Sequence, residues 1–361
     1  MNAAPPAREQ NDGPVLITGG AGFIGCNIAD ALAARGTPVL IFDNMSREGV
    51  TEHVQWLKHR YAERIAIEQG DVRDAPAVVR AVKSASAVLH LAAQVAVTTS
   101  LEQPVPDFEI NARGTLNVLE ALRLHNPRAP LVFASTNKVY GRLLGNNAFV
   151  RREARYAPAD ARYARGVDED APLDLYSPYG CSKGTADQYV HDYARVFGLR
   201  TVVLRMSCIY GPRQFGTEDQ GWIAHFMLQA VKEQPITIFG DGLQVRDALY
   251  VGDAAAAWIA ALDRIDAVAG RIFNLGGGPA NAVSLLELID TIEQLRGHRP
   301  ALRFDAWRPG DQPWYVSDIS AIAEAIGWRP TVSLPGGLRS LEQWIETRFG
   351  PAPLPAQREV A

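Results

Sequence analysis

Cysteine is nearly absent. Cys26, Cys181 and Cys208 are odd in number and lack the spacing of a metal knot or a disulfide framework, so reduced thiols are expected. Seven scattered histidines show no pairing that suggests zinc, and no metal is expected. No apolar run reaches the ~18 residues of a membrane span, which argues against a membrane partner. Basic surplus is missing too: a net charge of −4 and a pI near 6.0 give no footprint for nucleic acid. The opening MNAAPPAREQNDG has no apolar signal core, so 1–13 is expected to be a disordered tail and the protein cytoplasmic. A second tail is expected at 350–361. Lysine is the scarcest charged residue, five among 36 basic side chains.

Apolar residues are plentiful, 47% of 361 against 21% charged, an ordinary balance for a globular chain long enough to hold two lobes. They fall into strands alternating with helices. Pro14 to Thr18 is a strand; it runs into Gly19, Gly20, Ala21, Gly22, Phe23, Ile24 and Gly25, and helical spacing continues to Arg35. Strand, glycine turn and helix in that order let a pyrophosphate approach the backbone and meet the helix amino end. The bland alternative is a tight turn. The next strand, Pro38 to Phe42, delivers Asp43, where a carboxylate accepts from the ribose hydroxyls of NAD and repels the 2′-phosphate of NADP. Asn44, Ser46 and Arg47 follow on the same loop, and an ordinary turn aspartate is the alternative. Strands at Ile65 to Glu68 and Ala87 to Leu91 set Asp71 and Val72 near the adenine edge, and Leu91, Ala92 and Ala93 along the cofactor's path. This repeating order predicts an α/β fold, a doubly wound parallel sheet of Rossmann type with ligands at the carboxyl ends of its strands.

Two stretches carry chemistry. STNKVYG closes the strand Pro130 to Ala134 and sets Thr136 at its carboxyl end. YSPYGCSKGTADQYVHDYARVFG reads as a helix, with Ser177 as N-cap, Pro178 in the first turn and Gly198 as the stop. Tyr179 and Lys183 then share a face. A phenol with a pKa near ~10 is a poor base. An ammonium one turn away, and an oxidised nicotinamide beyond it, favour the phenolate, which can take a proton from an alcohol. With 11 tyrosines and five lysines, ~0.15 such pairs arise by chance, so the pair gains weight from following the strand that ends in Thr136.

The sheet domain is expected to take 14–211 plus 246–277, with Arg246 and Asp247 returning to the sheet. Residues 212–245 plus 278–349, richer in Pro, Gly and Trp, form a smaller substrate lobe closed by an amphipathic helix through Leu338, Leu341, Ile345 and Phe349. Arg246 and Arg308 are candidate phosphate clamps, since the guanidinium fork suits phosphate oxygens; pairing with Asp247 or Asp311 is the structural alternative. Arg142, Arg151, Arg152, Arg155, Arg162 and Arg165 crowd a long loop that either reaches a phosphate or a neighbouring subunit or is a solvated face.

Taken together, the glycine turn, the set Thr136, Tyr179 and Lys183, and the motifs RDALYVGD and RPGD resemble the extended short-chain dehydrogenase/reductase family acting on nucleotide sugars, over about Pro14 to Phe349. Within it, STNKVYG, SPYGCSKGTADQY and RMSCIYGPRQFGTEDQGW are similar to the subfamily acting on CDP-paratose and CDP-tyvelose. The resemblance implies a tightly held NAD, a CDP-linked sugar and inversion of C2 through a keto sugar. It assigns Thr136, Tyr179 and Lys183 to catalysis and Gly19, Gly22, Gly25 and Asp43 to NAD. Asn137, Arg213 and Gln214 fall to the sugar nucleotide, and Arg246 and Arg308 to its diphosphate. Related dehydratases carry an Asp-Glu pair after the threonine; Asn137 and Lys138 stand there, which disfavours elimination. A UDP-hexose 4-epimerase with the same machinery is the alternative, and an NAD-binding sensor without turnover is a third reading. The family also implies a dimer or tetramer through helices such as Phe108 to Leu124 and Tyr179 to Gly198.

Overall fold

The computed structural model of the chain describes residues 13–143, 149–308 and 311–350. Pro309 and Gly310 of the RPGD stretch, and both expected tails apart from Gly13 and Gly350, lie outside those residues. Among the described residues no helix is long and apolar enough to cross a membrane.

Seven strands form one parallel sheet, in the order Arg271–Leu275, Thr201–Met206, Leu131–Thr136, Ala87–His90, Val15–Thr18, Val39–Asp43 and Ile65–Gln69. Successive side chains of a strand face opposite ways. Leu16 accordingly packs with Phe42, Val88, Phe133 and Val203 on one face, and Ile17 with Ile41, Leu89, Val132 and Leu204 on the other. Each such burial stabilises by ~1.5–3 kcal/mol, so strands apolar on both faces require helices on both, the doubly wound arrangement. From Val15–Thr18 the chain builds outward through two strands and then returns to lay Ala87–His90 on the other side. That reversal opens a crevice at the carboxyl ends, the usual ligand position of such sheets.

The helix Ser177–Phe197 ends as expected, with Gly198 at φ 69. At its start the Ser177 Oγ accepts from the Gly180 N–H at 3.2 Å, a cap made by the helix's own first residue. The helix expected over Phe108 to Leu124 runs as Pro104–Phe108, a π turn at Glu109–Arg113, and Gly114–His125.

Val245–Tyr250 departs from expectation, because it does not return to the large sheet. The place beside Thr201–Met206 is filled by all five residues of Arg271–Leu275. Val245–Tyr250 instead runs parallel to Cys208–Tyr210, which leaves the large sheet just after Met206, and pairs further with Ala282–Ser284 and Trp314–Tyr315. Helices Trp222–Val231, Leu285–Arg296 and Leu334–Phe349 close this lobe over Ile223, Met227, Ile289, Leu338, Leu341 and Ile345.

The arginine-rich stretch is ordered over its described part. Phe149–Arg151 and Tyr156–Pro158 form a hairpin. Its Arg155 grips Glu287 with two bonds of 2.6 and 2.5 Å, and the Tyr156 hydroxyl donates to Asp241 at 2.6 Å. Arg165 pairs with Asp318 at 3.3 Å and Arg162 with its neighbour Asp160 at 2.7 Å. The hairpin thus straps the substrate lobe.

Candidate active site

A cavity of about 400 Å³ opens at the crevice, and its wall includes Gly19, Gly22, Phe23, Ile24 and Gly25 from the glycine turn. Asp43, Asn44, Ser46 and Arg47 line it from the next loop, and Asp71, Val72, Leu91, Ala92 and Ala93 from the two after. A Cβ on Gly19 would stand 2.7 Å from the Ala92 nitrogen, and one on Gly25 would stand 2.5 Å from the Gly19 oxygen. Turn and helix therefore close on each other. At Gly22 the nearest atom is the Gly19 oxygen at 3.2 Å, which leaves its outer side open to the cavity. This cradle fits a pyrophosphate over the amino end of Phe23–Ala34.

Asp43 anchors the turn as well as facing the cavity. Its carboxylate accepts from the Ala21 N–H at 3.1 Å and the Met45 N–H at 2.9 Å. Burial raises its carboxyl, and those two bonds oppose the rise. Asp71 is held well below the usual carboxylate range, chiefly by the Arg73 side chain. Arg47 reaches across to hydrogen-bond the Gln220 side chain.

Tyr179 and Lys183 line the same cavity. Thr136 ends its strand beside them, accepting from the Lys138 N–H at 3.2 Å. Burial pushes the Tyr179 phenol up to about 12; the Thr136 hydroxyl lowers it, Asp107 raises it and Arg47 lowers it. Burial also pushes the Lys183 amine down to about 7, against Asp187 and Asp107. Its Nζ donates to the Ala134 carbonyl at 2.5 Å and lies 4.3 Å from the centre of the Phe133 ring. The expected ionisation of the phenol by the Lys183 ammonium is therefore not what these groups produce: desolvation is the largest influence on both, each within a tenth of full burial, and the cation that lowers the phenol is Arg47.

The candidate substrate residues are less gathered, and among the described residues Thr136, Asn137, Arg213, Gln214, Arg246 and Arg308 stand outside this cavity wall. Arg213 stacks on Trp56, 3.3 Å from the ring centre, and the Gln214 amide donates to the Ile209 carbonyl at 3.1 Å. Arg246 pairs with Asp311 at 2.6 Å, while Asp247 is taken by Ser207, Gly278 and Ser317. Arg308 lies over Phe239 and donates to the Glu218 carbonyl at 2.7 Å. Lys138 is pushed down to about 8 by burial and by Arg246, with Asp311 opposing.

Sequence reasoning missed several neighbours. Gln220 and Thr99 line the cavity, and Ser100 accepts from the Tyr179 N–H at 3.2 Å. Asp107, Asn111 and Thr115 are buried at four-residue spacing along the helical stretch from Pro104 to His125. That spacing of polar residues was the available signal.

Comparison with known proteins gives the family of the chain. The model of the NAD dependent epimerase/dehydratase family matches residues 15–276. The chain is 42% identical to the CDP-paratose 2-epimerase of Salmonella typhi over 92% of its own length and 99% of the relative's. It is 32% identical to the UDP-glucuronate 4-epimerase of Thermodesulfobacterium geofontis, over 92% and 96%. The crystal structure of the Thermus thermophilus UDP-glucose 4-epimerase in complex with NAD superposes with a TM-score of 0.76 at 33% identity, covering 92% of this chain and 99% of that one. The chain thus belongs to the NAD dependent epimerase/dehydratase family, as a member of the nucleotide-sugar epimerase kind with NAD as its cofactor.

Proposed function

We propose that this epimerase inverts C2 of a CDP-linked deoxyhexose through a transient keto sugar, with Thr136, Tyr179 and Lys183 as its catalytic set. The observation that carries this reading is that Tyr179 and Lys183 share one cavity wall with the glycine turn and Asp43. When bound there, NAD supplies the acceptor and donor of hydride for reversible oxidation of one ring carbon. Thr136 orients the sugar hydroxyl, and Tyr179 takes its proton and later returns it. A phenol raised by burial is a strong base once ionised, and Arg47 is the cation that lowers it. Neither Asn137 nor Lys138 carries a carboxyl, so elimination of water finds no acid at that turn. Arg246 and Arg308 hold the diphosphate, Arg246 by releasing Asp311.

The CDP base and the C2 position rest on the likeness to the Salmonella typhi enzyme. Inversion at C4 of a UDP-hexose is the second reading, favoured by the likeness to the Thermus thermophilus enzyme. The assembly is a homodimer or homotetramer: Leu101, Val105 and Phe108, with Tyr189, Val196 and Phe197 of the catalytic helix, are large apolar side chains left exposed. Incubation with CDP-paratose, read by proton NMR, tests the chemistry. Inversion at C2 is expected; turnover of UDP-glucose at C4 with CDP-paratose untouched would overturn the assignment.

A further inference from the structure

We propose that Asp107 is a positioning residue of this reaction, the buried carboxylate that sets the protonation of Tyr179 and Lys183. The proposal rests on the catalytic reading of that pair given above. Asp107 is fully buried. Its Oδ2 accepts from the Ser182 hydroxyl at 2.5 Å, and Ser182 is the residue just before Lys183. Its Oδ1 accepts from the Asn111 amide at 3.1 Å, whose own oxygen takes the Gln94 N–H at 2.9 Å on the cavity wall. These donors are neutral.

The other buried acid near Lys183 is arranged differently. Asp187 is neutralised by Arg205 through two bonds of 3.0 Å and accepts from the Ser135 hydroxyl at 2.6 Å. Among the described residues no ion pair is formed by Asp107. Its charge is therefore balanced by the active site itself. It raises both the phenol and the amine, while Lys183 in turn lowers its carboxyl against the effect of burial. The remaining titratable groups around the pair are Arg47 on its loop and His90 on its strand, the latter kept neutral by burial, at about 3. A buried acid without a cation is expensive. What it supplies here is a field that keeps the proton on Lys183 and makes the ionised phenol a stronger base.

The test is the pH profile of kcat/KM for the NAD-loaded enzyme and for Asp107→Asn. The two limbs report the ionisations of the Tyr179 and Lys183 pair, both of which the Asp107 charge raises. Removing the negative charge moves both limbs to lower pH by about one unit. Titration of tyrosinate absorbance, each protein corrected by its Tyr179→Phe counterpart, should show the same displacement without any need for turnover. Ser182→Ala, which removes the shortest donor but keeps the charge, should leave both limbs close to their wild-type positions. For Asp107→Asn, a uniform fall in rate with unmoved limbs and an unmoved titration would overturn the proposal. Full activity in Tyr179→Phe would instead overturn the reading of the site.

Discussion

Lys183→Met should separate stability from catalysis. Burial takes the amine from 10.5 to about 7. Because the folded value lies below the unfolded one, the folded state binds fewer protons. The penalty is full below pH 7 and is relieved as pH rises toward 10.5. A shift of that size corresponds to roughly 4–5 kcal/mol. Methionine keeps the stem and removes the proton, at the loss of the bond to the Ala134 carbonyl, worth ~1 kcal/mol. The variant should therefore be inactive yet roughly 3 kcal/mol more stable at pH 7. Urea unfolding without added NAD, which would add its own stabilisation, measures this. Between pH 7 and 9.5 the wild type should also gain more stability than the variant, which lacks the Lys183 contribution. A variant less stable than wild type at pH 7, with the same pH slope, would refute the reasoning.

Other substitutions probe the frame around the site. Gly19→Ala forces a Cβ against Ala92 at φ +68, a conformation that costs ~1–2 kcal/mol before any clash; NAD released on denaturation should be absent, and Tm lower. Arg205→Met leaves Asp187 buried without its cation and should cost ~3–5 kcal/mol in a urea titration. Asp43→Asn removes the charge that repels a 2′-phosphate, so the preference for NAD over NADP should narrow on the order of tenfold in binding titrations.

Local order was the legible part of this chain. Strand, glycine turn and helix, and the pair Tyr179 and Lys183 on one helix face, depend on neighbours within a few residues, and periodicity reports those. What escaped depends on partners distant in sequence. Val245–Tyr250 looks like a strand of the large sheet until Arg271–Leu275 is seen to hold the place. Arg155 reads as one charge in a crowded loop, and only the fold brings Glu287 to it. Arg246 offered Asp247 and Asp311 equally, and the fold gave Asp247 to backbone N–H groups and Asp311 to the arginine. The phenol's environment was unreadable for the same reason: residue spacing places an ammonium one turn away but says nothing of how much water both groups lose.

The most direct measurement is turnover and NAD content of Tyr179→Phe side by side. The substitution deletes one oxygen at the cavity wall and leaves the glycine turn, Asp43 and Lys183 in place. The account predicts NAD retained at the wild-type ratio, an unchanged fold by circular dichroism, and no inverted sugar detectable by NMR. Inversion at a rate near that of the wild type, with NAD still bound, would contradict it.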